Sequence, residues 1–384
     1  MIQEPFAVEQ FMDKYETAAT YNMGETCVSS LSIDDILWFS HTSASDFTNK
    51  LLNLKLTYGH ITGSPELKLA ICKLYESVVP QNVVITNGAI GGNFLSLYSI
   101  VEPNDTVIVI QPTYQQLASV PAMFGAKVVT YDLQFERGFL PVIEELHDLI
   151  GIHSPKLLIF NNPNNPSGVV ANDDFMKSLV QLCYNHNIYL LCDEVYRPLY
   201  HGLSEKEKPK SALDYGYEKV IVTCSMSKAF SLAGIRLGWI ASNDSDIIND
   251  LLLKRDYNTI SISMLDDYVA TLALKNYQAI LDRNYEICRL NLLKIEVFIK
   301  KYPEIFSWVK PNGGSTCFIK MNSINTQEFC ETMAEKYETL IVPGEVFNRP
   351  GFIRVGFGNS PQDIESGLQQ IERWLQSRDK DVQK

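Results

Sequence analysis

Lys228 has the sequence neighbours that most strongly suggest chemistry. It ends the segment Ser225-Met226-Ser227-Lys228, and Arg236 follows eight residues later. An amine held near a second cation loses its proton more easily and can then attack a carbonyl group. The hydroxyl groups and the guanidinium suit a phosphate. The segment therefore predicts a reactive lysine beside a phosphate site, with a lysine on a polar surface loop as the alternative.

A carboxylate and a tyrosine follow another apolar segment. Asp193 comes directly after the apolar residues 188–192, and Tyr196 lies three positions further on. A carboxylate buried alone at the end of a strand is unfavourable by several kcal/mol, so Asp193 should face a cation or strong hydrogen-bond donors. A helix N-cap or a solvated loop acid is the alternative.

Further residues of this kind follow other apolar runs. Gly88, Ala89, Tyr114 and Asn165 each come shortly after one, and Arg354 lies within one. Backbone amides at a helix N-terminus bind phosphate, and an arginine in an apolar strand must find an anion or reach solvent. Ligands of open α/β sheets bind at the carboxyl ends of the strands. The pattern predicts one site, although Tyr114 is also compatible with a core position.

The elements that would position these residues alternate between strands and helices from about residue 81 to 242. Several strands are continuously apolar, as in a sheet covered on both faces, so we predict an α/β fold with a mostly parallel seven-stranded sheet. The predicted strands are Val83–Thr86, Thr106–Ile110, Lys127–Tyr131, Lys156–Phe160, Ile188–Cys192, Lys219–Thr223 and Arg236–Ala241.

The pattern changes after residue 244. Residues 263–300 predict one or two long helices, and short strands and helices follow, including a strand at Thr339–Val342. We therefore predict two domains: a large domain at 46–255, and a smaller α+β domain that contains 256–384. Residues 1–45 show no pattern that would place them.

Composition excludes several classes of protein. The chain has 384 residues, a formal net charge of −12, and eight cysteines without a C-x-x-C pair. The acidity argues against nucleic-acid binding, and the scattered cysteines predict neither a disulfide framework nor a metal site. No apolar run is long enough for a membrane helix, and no signal peptide is evident at the N-terminus, so we expect a cytoplasmic protein with no membrane association.

The segment Ser225–Lys228 with Arg236 resembles the class I and II aminotransferases, which have fold type I and use pyridoxal 5'-phosphate (PLP). The resemblance covers roughly residues 50 to 375. It implies that Lys228 bonds the cofactor covalently, that Asp193 holds the pyridine nitrogen, and that Tyr196 tunes the cofactor's phenolic oxygen. The large domain at 46–255 would thus bind PLP, and the resemblance also implies that residues 1–45 join 256–384 in the smaller domain. The other implied cofactor-binding residues are Gly88, Ala89, Tyr114, Asn165, Ser225, Ser227 and Arg236.

The resemblance also implies substrate contacts and a partner. Arg354 would bind the substrate α-carboxylate, with Asn165 and Gly24 nearby, and Tyr58 would reach the phosphate of a neighbouring subunit. A homodimer with shared active sites follows. The second arginine of aspartate-specific members has no clear counterpart near residues 257–261, and the position of Arg255 is undetermined.

The implied activity is transfer of an amino group from an amino acid to a 2-oxo acid. Two alternatives remain. Residues 23–31 and 193–197 resemble capreomycidine-synthase-like members, so the chain could instead be a PLP-dependent lyase or cyclase. Some relatives of this fold are transcription regulators, but this acidic chain has no additional DNA-binding segment.

Overall fold

The computed structural model describes residues 3–382 and shows an α/β fold with three sheets. The strands are β1 (Tyr21–Asn22), β2 (Val83–Thr86), β3 (Thr106–Gln111), β4 (Lys127–Asp132), β5 (Leu157–Asn161), β6 (Tyr189–Asp193), β7 (Val220–Ser225), β8 (Gly238–Ser242), β9 (Phe306–Trp308), β10 (Thr316–Met321), β11 (Thr339–Leu340), β12 (Val342–Pro343) and β13 (Phe352–Gly356).

Helices occupy most of the remaining chain. They are α1 (Ala7–Tyr15), α2 (Ile33–Ser40), α3 (Ala44–Leu52), α4 (Pro65–Cys72), α5 (Gly88–Ile100), α6 (Gln116–Met123), α7 (Ile143–His153), α8 (Asp173–His186), α9 (Ser245–Arg255), α10 (Met264–Lys275), α11 (Tyr277–Lys301), α12 (Thr326–Tyr337) and α13 (Pro361–Val382). The helical region predicted at 263–300 is thus two helices, α10 and α11.

The large sheet has seven strands in the order β2-β8-β7-β6-β5-β3-β4. Neighbouring strands are parallel except at β8, which runs antiparallel to both β2 and β7. The prediction of a mostly parallel seven-stranded sheet is confirmed. Six strands point the same way, so their carboxyl ends meet along one edge of the sheet.

Both faces of this sheet are covered, which explains the continuously apolar strands. In β5, Leu157 and Ile159 join the hydrophobic core on one face, and Leu158 and Phe160 join the core on the other. Side chains alternate between the two faces of a strand, so two buried faces require apolar residues at every position. β4, at the edge of the sheet, is partly exposed.

The C-terminal part contains an antiparallel sheet in the order β12-β13-β10-β9. The strand predicted at Thr339–Val342 was wrong as a single strand. Its first half, β11, pairs with β1, and its second half, β12, pairs with β13. The chain changes partner at Ile341, and local sequence carries no information about partners. The division into domains at 46–255, and at 1–45 with 256–384, stays a prediction.

The described residues give three further observations. All eight cysteines are free. None of the described helices combines the length and apolar character needed to cross a bilayer. Within residues 3–382, no cluster of His, Cys, Asp and Glu side chains has the arrangement of a metal site.

Candidate active site

A cavity of about 340 Å³ opens at the carboxyl ends of the central strands. Asn161, Asp193 and Ser225, the last residues of β5, β6 and β7, lie in its wall. It brings together most of the side chains that the sequence singled out. The predicted residues that line it are Gly24, Ala89, Tyr114, Asn165, Asp193, Tyr196, Ser225, Ser227, Lys228, Arg236 and Arg354.

Lys228 reaches into the cavity from the loop after β7. Its Nζ donates to Thr26 Oγ1 at 2.5 Å and to Cys27 Sγ at 3.4 Å, and lies 3.8 Å from Glu25 Oε1. All three partners come from the N-terminal segment. The amine is therefore held in the middle of the cavity.

The sequence argument about the charge of Lys228 was wrong for the chain without a ligand. Burial acts to lower the pKa of the Lys228 ammonium, but Cys27, Tyr196 and Glu25 outweigh it and raise that pKa above its ordinary value. Arg236 is close in sequence, yet acidic and hydrogen-bonding groups dominate around the amine. A change in these neighbours must therefore remove the proton before the nitrogen can attack a carbonyl group.

Asp193 lies at the bottom of the cavity and is almost completely buried. Its Oδ2 accepts from Asn93 Nδ2 at 2.9 Å, and its Oδ1 accepts from the Val195 amide at 3.0 Å. Among the described residues, no Lys, Arg or His forms an ion pair with it. Burial raises its pKa despite these two hydrogen bonds and the more distant Lys228. The carboxylate therefore favours a cation placed in the cavity.

Asn93 positions the Asp193 carboxylate through this hydrogen bond. It lies on α5, and its Oδ1 accepts from Thr223 Oγ1 of β7 at 2.6 Å. That bond fixes the amide so that its nitrogen faces Asp193. Sequence reasoning missed Asn93, because a single asparagine inside an apolar helix has no motif around it.

Polar groups surround the end of the cavity near the N-terminus of α5. Arg236 Nη1 donates to Ala233 O at 2.9 Å and lies 3.4 Å from Ser227 Oγ. Ser225 Oγ accepts from the Ser227 amide at 3.2 Å. Amides at a helix N-terminus together with a guanidinium and hydroxyl groups suit a phosphate.

Two glycines make this close arrangement possible. Gly88 has a φ of +71°, and a Cβ there would lie 2.9 Å from Arg236 Nη2. A Cβ on Gly238 would lie 2.4 Å from the carbonyl carbon of Gly88. The backbone of β8 therefore packs directly against the first turn of α5. Gly88 itself does not line the cavity, and only its conformation and its neighbours bear on the site.

Arg354 extends from β13 and is 3% exposed. Its Nη2 donates to Gly24 O at 2.9 Å, its Nη1 lies 3.5 Å from Asn165 Oδ1, and its Nε has no partner among the described residues. Burial lowers the pKa of the guanidinium, although Tyr196 and Glu25 act to raise it. An unpaired buried donor that lines a cavity suits an anionic ligand such as a carboxylate.

Two tyrosines complete the walls. Tyr196 is 1% exposed, and burial raises the pKa of its hydroxyl while Lys228 and Arg354 act to lower it. Tyr114 donates its hydroxyl to Glu9 Oε1 at 3.0 Å and presents a half-buried ring to the cavity. A flat aromatic ligand could stack on that ring.

Tyr58 is the predicted residue that the fold does not bring to this site. It lies in the connection between α3 and α4, it is 67% exposed, and it does not line the cavity. The prediction that Tyr58 contacts the phosphate of a neighbouring subunit stays a prediction.

The N-terminal segment forms one wall of the cavity, and of this wall the sequence predicted only Gly24. Glu9 and Met12 of α1, Glu16 directly after it, and Thr26 and Cys27 after β1 also line the cavity. A signal was present: the apolar residues at 8, 11, 12 and 15 have the spacing of one helix face, and all are buried.

Comparisons with known proteins agree on one family. The sequence profile described as "Aminotransferase class I and II" matches residues 53–371. A PLP-dependent aminotransferase from Streptococcus suis 89-1591, of known structure, is 37% identical, covers 98% of this chain and 99% of its own, and superposes with a TM-score of 0.93.

Two curated relatives are more distant. Aspartate aminotransferase of Thermotoga maritima is 28% identical over 305 residues, which are 79% of this chain and 78% of that protein. Capreomycidine synthase of Streptomyces vinaceus is 27% identical over 329 residues, which are 85% of this chain and 83% of that protein.

Proposed function

The chain belongs to the class I and II aminotransferases, and we propose that its cavity holds PLP on Lys228 and accepts an amino acid at Arg354. It is a PLP-dependent enzyme that transfers an amino group from an amino acid to a 2-oxo acid. The observation that carries the residue assignment is Asp193, a buried carboxylate without an ion-pair partner in the same cavity as the Lys228 amine.

The charges and shapes of the cavity fit this cofactor. Asp193 would hold the protonated pyridine nitrogen, and the ring would lie against Tyr114. Tyr196 and Asn165 would bind the phenolic oxygen. Arg236, Ser225, Ser227 and the amides of Gly88 and Ala89 would hold the phosphate.

When bound, PLP supplies an electron-accepting ring that stabilises negative charge at the substrate α-carbon. The chain supplies positioning and proton transfer. Arg354 orients the substrate through its α-carboxylate, so that one bond of the α-carbon is aligned for cleavage. The Lys228 amine, once free, takes the α-proton on Nζ and returns it at a neighbouring carbon. Thr26 Oγ1, 2.5 Å from that nitrogen, limits its movement.

The test of this assignment is spectroscopic and covalent. We expect purified protein with PLP to absorb as a protein-bound aldehyde adduct, and amino donors to shift that absorbance. Borohydride reduction followed by peptide mapping should place the cofactor on Lys228. Lys228→Ala should abolish this labelling, and Lys219→Ala, a surface lysine at the opposite end of β7, should not. Labelling that survives in Lys228→Ala would refute the assignment.

A second reaction remains a candidate because of the similarity to capreomycidine synthase. Lyases and cyclases of this scaffold use the same lysine and differ in the fate of the substrate carbanion. The two reactions are separated by their products. Transamination yields one 2-oxo acid for each acceptor consumed, whereas elimination or cyclisation proceeds without any 2-oxo acid acceptor.

We propose that the enzyme is a homodimer with shared active sites. Support comes from exposed apolar side chains that flank Tyr58 between the end of α3 and the start of α4, which a monomer would leave in water: Leu52, Leu56 and Ile61. Mixing Lys228→Ala and Tyr58→Ala subunits should form hybrid dimers in which one site contains both native residues. Recovery of about a quarter of the native activity would support the shared site, and no recovery would contradict it.

Two further expectations, on the cellular location and on the division into domains, remain proposals. The cytoplasmic location is supported by eight free cysteines, which suit a reducing compartment. The division into a PLP-binding domain at 46–255 and a smaller domain from both ends is supported by the pairing of β1 with β11, which joins the N-terminal segment to the C-terminal part.

A further inference from the structure

The cavity contains more acidic groups than the proposed cofactor and a simple amino acid would neutralise. Its acidic lining residues are Glu9, Glu16, Glu25 and Asp193, and its cationic ones are Lys228, Arg236 and Arg354. In the proposed function, Arg236 faces the phosphate, Arg354 the substrate carboxylate, Asp193 the ring nitrogen, and Lys228 bonds the cofactor. The three glutamates are then left without a cationic partner among the described residues.

Two of these glutamates lie against each other. Burial and the negative charge of Glu25 raise the pKa of Glu16. Glu25 itself is kept ionised: burial acts to raise its pKa, but Lys228 and the amides of Cys27 and Thr26 lower it to about 2. Two adjacent carboxylates repel each other, and a cation between them would relieve that repulsion.

The contacts that Glu25 already makes leave part of its carboxylate without a partner. Glu25 Oε1 accepts from the amides of Thr26 and Cys27, at 2.6 and 2.9 Å. Its Oε2 accepts no hydrogen bond among the described residues. Its ion pair with Lys228, at 3.8 Å, depends on a free lysine and is lost when that nitrogen bonds the cofactor.

Arg354 does not neutralise them either. Glu25 and Glu9 are close enough to influence the charge of Arg354, yet neither forms an ion pair with it among the residues described. The guanidinium keeps a buried Nε without a partner among the described residues. The cavity thus offers a carboxylate site at Arg354 and, beside it, an acidic wall on α1 and the loop after β1.

We propose that the substrate of this site is an amino acid whose side chain ends in a cation, with Glu16 and Glu25 receiving that cation and Glu9 adding negative charge beside Tyr114. The proposal rests on the proposed function for the position of the α-carboxylate. The same acidic wall would repel the side-chain carboxylate of aspartate or glutamate. Guanidinium and ammonium groups both carry the required positive charge. A comparison of arginine with ornithine and lysine shows which group the site prefers.

The first test compares amino donors that differ mainly in side-chain charge. L-Arginine and L-citrulline have nearly the same shape, and L-norleucine has the carbon chain of L-lysine without its ammonium group. We expect arginine, ornithine or lysine to convert the bound cofactor with a specificity constant about tenfold or more above that of its neutral counterpart. L-Aspartate should be poorer still. Equal conversion of neutral and cationic partners, or a preference for aspartate, would overturn the proposal.

The second test measures binding without turnover. Borohydride reduction fixes the cofactor to the protein, so calorimetry reports recognition of the amino acid alone. Glu16→Gln should weaken binding of the preferred cationic amino acid about tenfold and leave its neutral counterpart unchanged. Asp13→Asn is the matched control, because Asp13 is an exposed acid on the same helix outside the cavity. An equal loss of both ligands in Glu16→Gln would also contradict the proposal.

Different results would contradict the aminotransferase assignment and the cationic substrate. If a neutral or acidic donor converts the cofactor best, the aminotransferase assignment stands and the cationic substrate is wrong. If no amino acid changes the cofactor absorbance while the reduced protein binds arginine more tightly than citrulline, the acidic wall acts as proposed and the assigned reaction is wrong.

Discussion

At the scale of single residues, the site depends on polar groups that are unfavourable without a ligand. Asp193 is a buried carboxylate without a described ion-pair partner, and Arg354 has an unpaired Nε. Each is stabilised by a ligand group of opposite charge. Sequence identified both, because charged residues within apolar strands are rare, but it could not show that Asn93 orients Asp193.

Removing the charge of Asp193 tests its role at the ring nitrogen. We expect Asp193→Asn to lower turnover by about 100-fold or more, since an amide does not stabilise a protonated pyridine. The cofactor-free chain should be at least as stable as the parent at neutral pH, because burial raises the pKa of this carboxyl and its ionised form is unfavourable.

Steady-state kinetics and thermal unfolding of the cofactor-free protein measure these two effects. Asn93→Ala, which removes a donor but keeps the carboxylate, should have a smaller effect on turnover than Asp193→Asn. A fully active Asp193→Asn enzyme would exclude Asp193 as the partner of the ring nitrogen.

Glu25 should make the stability of the cofactor-free chain depend on pH. Its pKa in the folded chain is about 2, below its ordinary value of 4.5. A lowered carboxyl pKa contributes stability that is fully present above about pH 4.5 and is lost as the pH falls towards 2. We expect Glu25→Gln to unfold at a lower temperature than the parent at pH 6, and the difference to shrink by pH 3.

The control for this experiment is the Lys228→Ala background. There the ammonium that lowers the Glu25 pKa is absent and only the Thr26 and Cys27 contacts remain, so Glu25→Gln should have a smaller effect at pH 6 than in the parent. An effect of the same size at pH 6 and pH 3 in the parent background would show that Glu25 acts through packing and not through its charge.

At the scale of elements, the sequence predicted the strands because a sheet covered on both faces requires runs of apolar residues. Asn172 precedes α8 and caps it, because its Oδ1 accepts from the Phe175 amide at 2.9 Å. The sequence did not predict the order of strands or the reversed direction of β8, because these depend on contacts between distant segments. The wall made by α1 was missed although its apolar spacing was visible.

The contact between β8 and the start of α5 can be tested with two glycines. Gly238→Ala would place a Cβ 2.4 Å from the carbonyl carbon of Gly88 and 2.7 Å from the Ala89 amide nitrogen. These are backbone atoms, so the strand or the helix must move. We expect the variant to hold PLP at least about tenfold more weakly, because displaced amides bind phosphate poorly.

Gly234→Ala is the matched control in the same loop region, since a Cβ at Gly234 would meet nothing within 4 Å. Cofactor affinity is measured by dialysis and reconstitution, followed by absorbance. Similar affinity in both variants would mean that the close contact at Gly238 does not position the phosphate site.

At the scale of the whole molecule, the exposed apolar residues near Tyr58 predict a second subunit. Leu56 is 77% exposed, and Leu56→Asp would place a charge inside the proposed interface. We expect this variant to sediment as a monomer and to lose most of its activity, because a shared site needs both subunits.

Ile152→Asp is the control for this experiment. Ile152 is 74% exposed at the end of α7, in a different part of the chain, and its substitution should leave the dimer intact. Analytical ultracentrifugation at micromolar concentration distinguishes the two results. A Leu56→Asp variant that remains dimeric and active would place the interface elsewhere.

The position of α1 has a consequence for how such an enzyme can change. The strand ends and the loop after β7 supply the groups assigned to the cofactor, whereas Glu9 of α1 and Glu16 just after it supply two of the three glutamates of the acidic wall. Donor preference can therefore change without altering residues 25–27, which contact Lys228. Libraries restricted to codons 8–16 should yield altered selectivity among variants that still bind the vitamin, which makes this short stretch a suitable target for directed evolution.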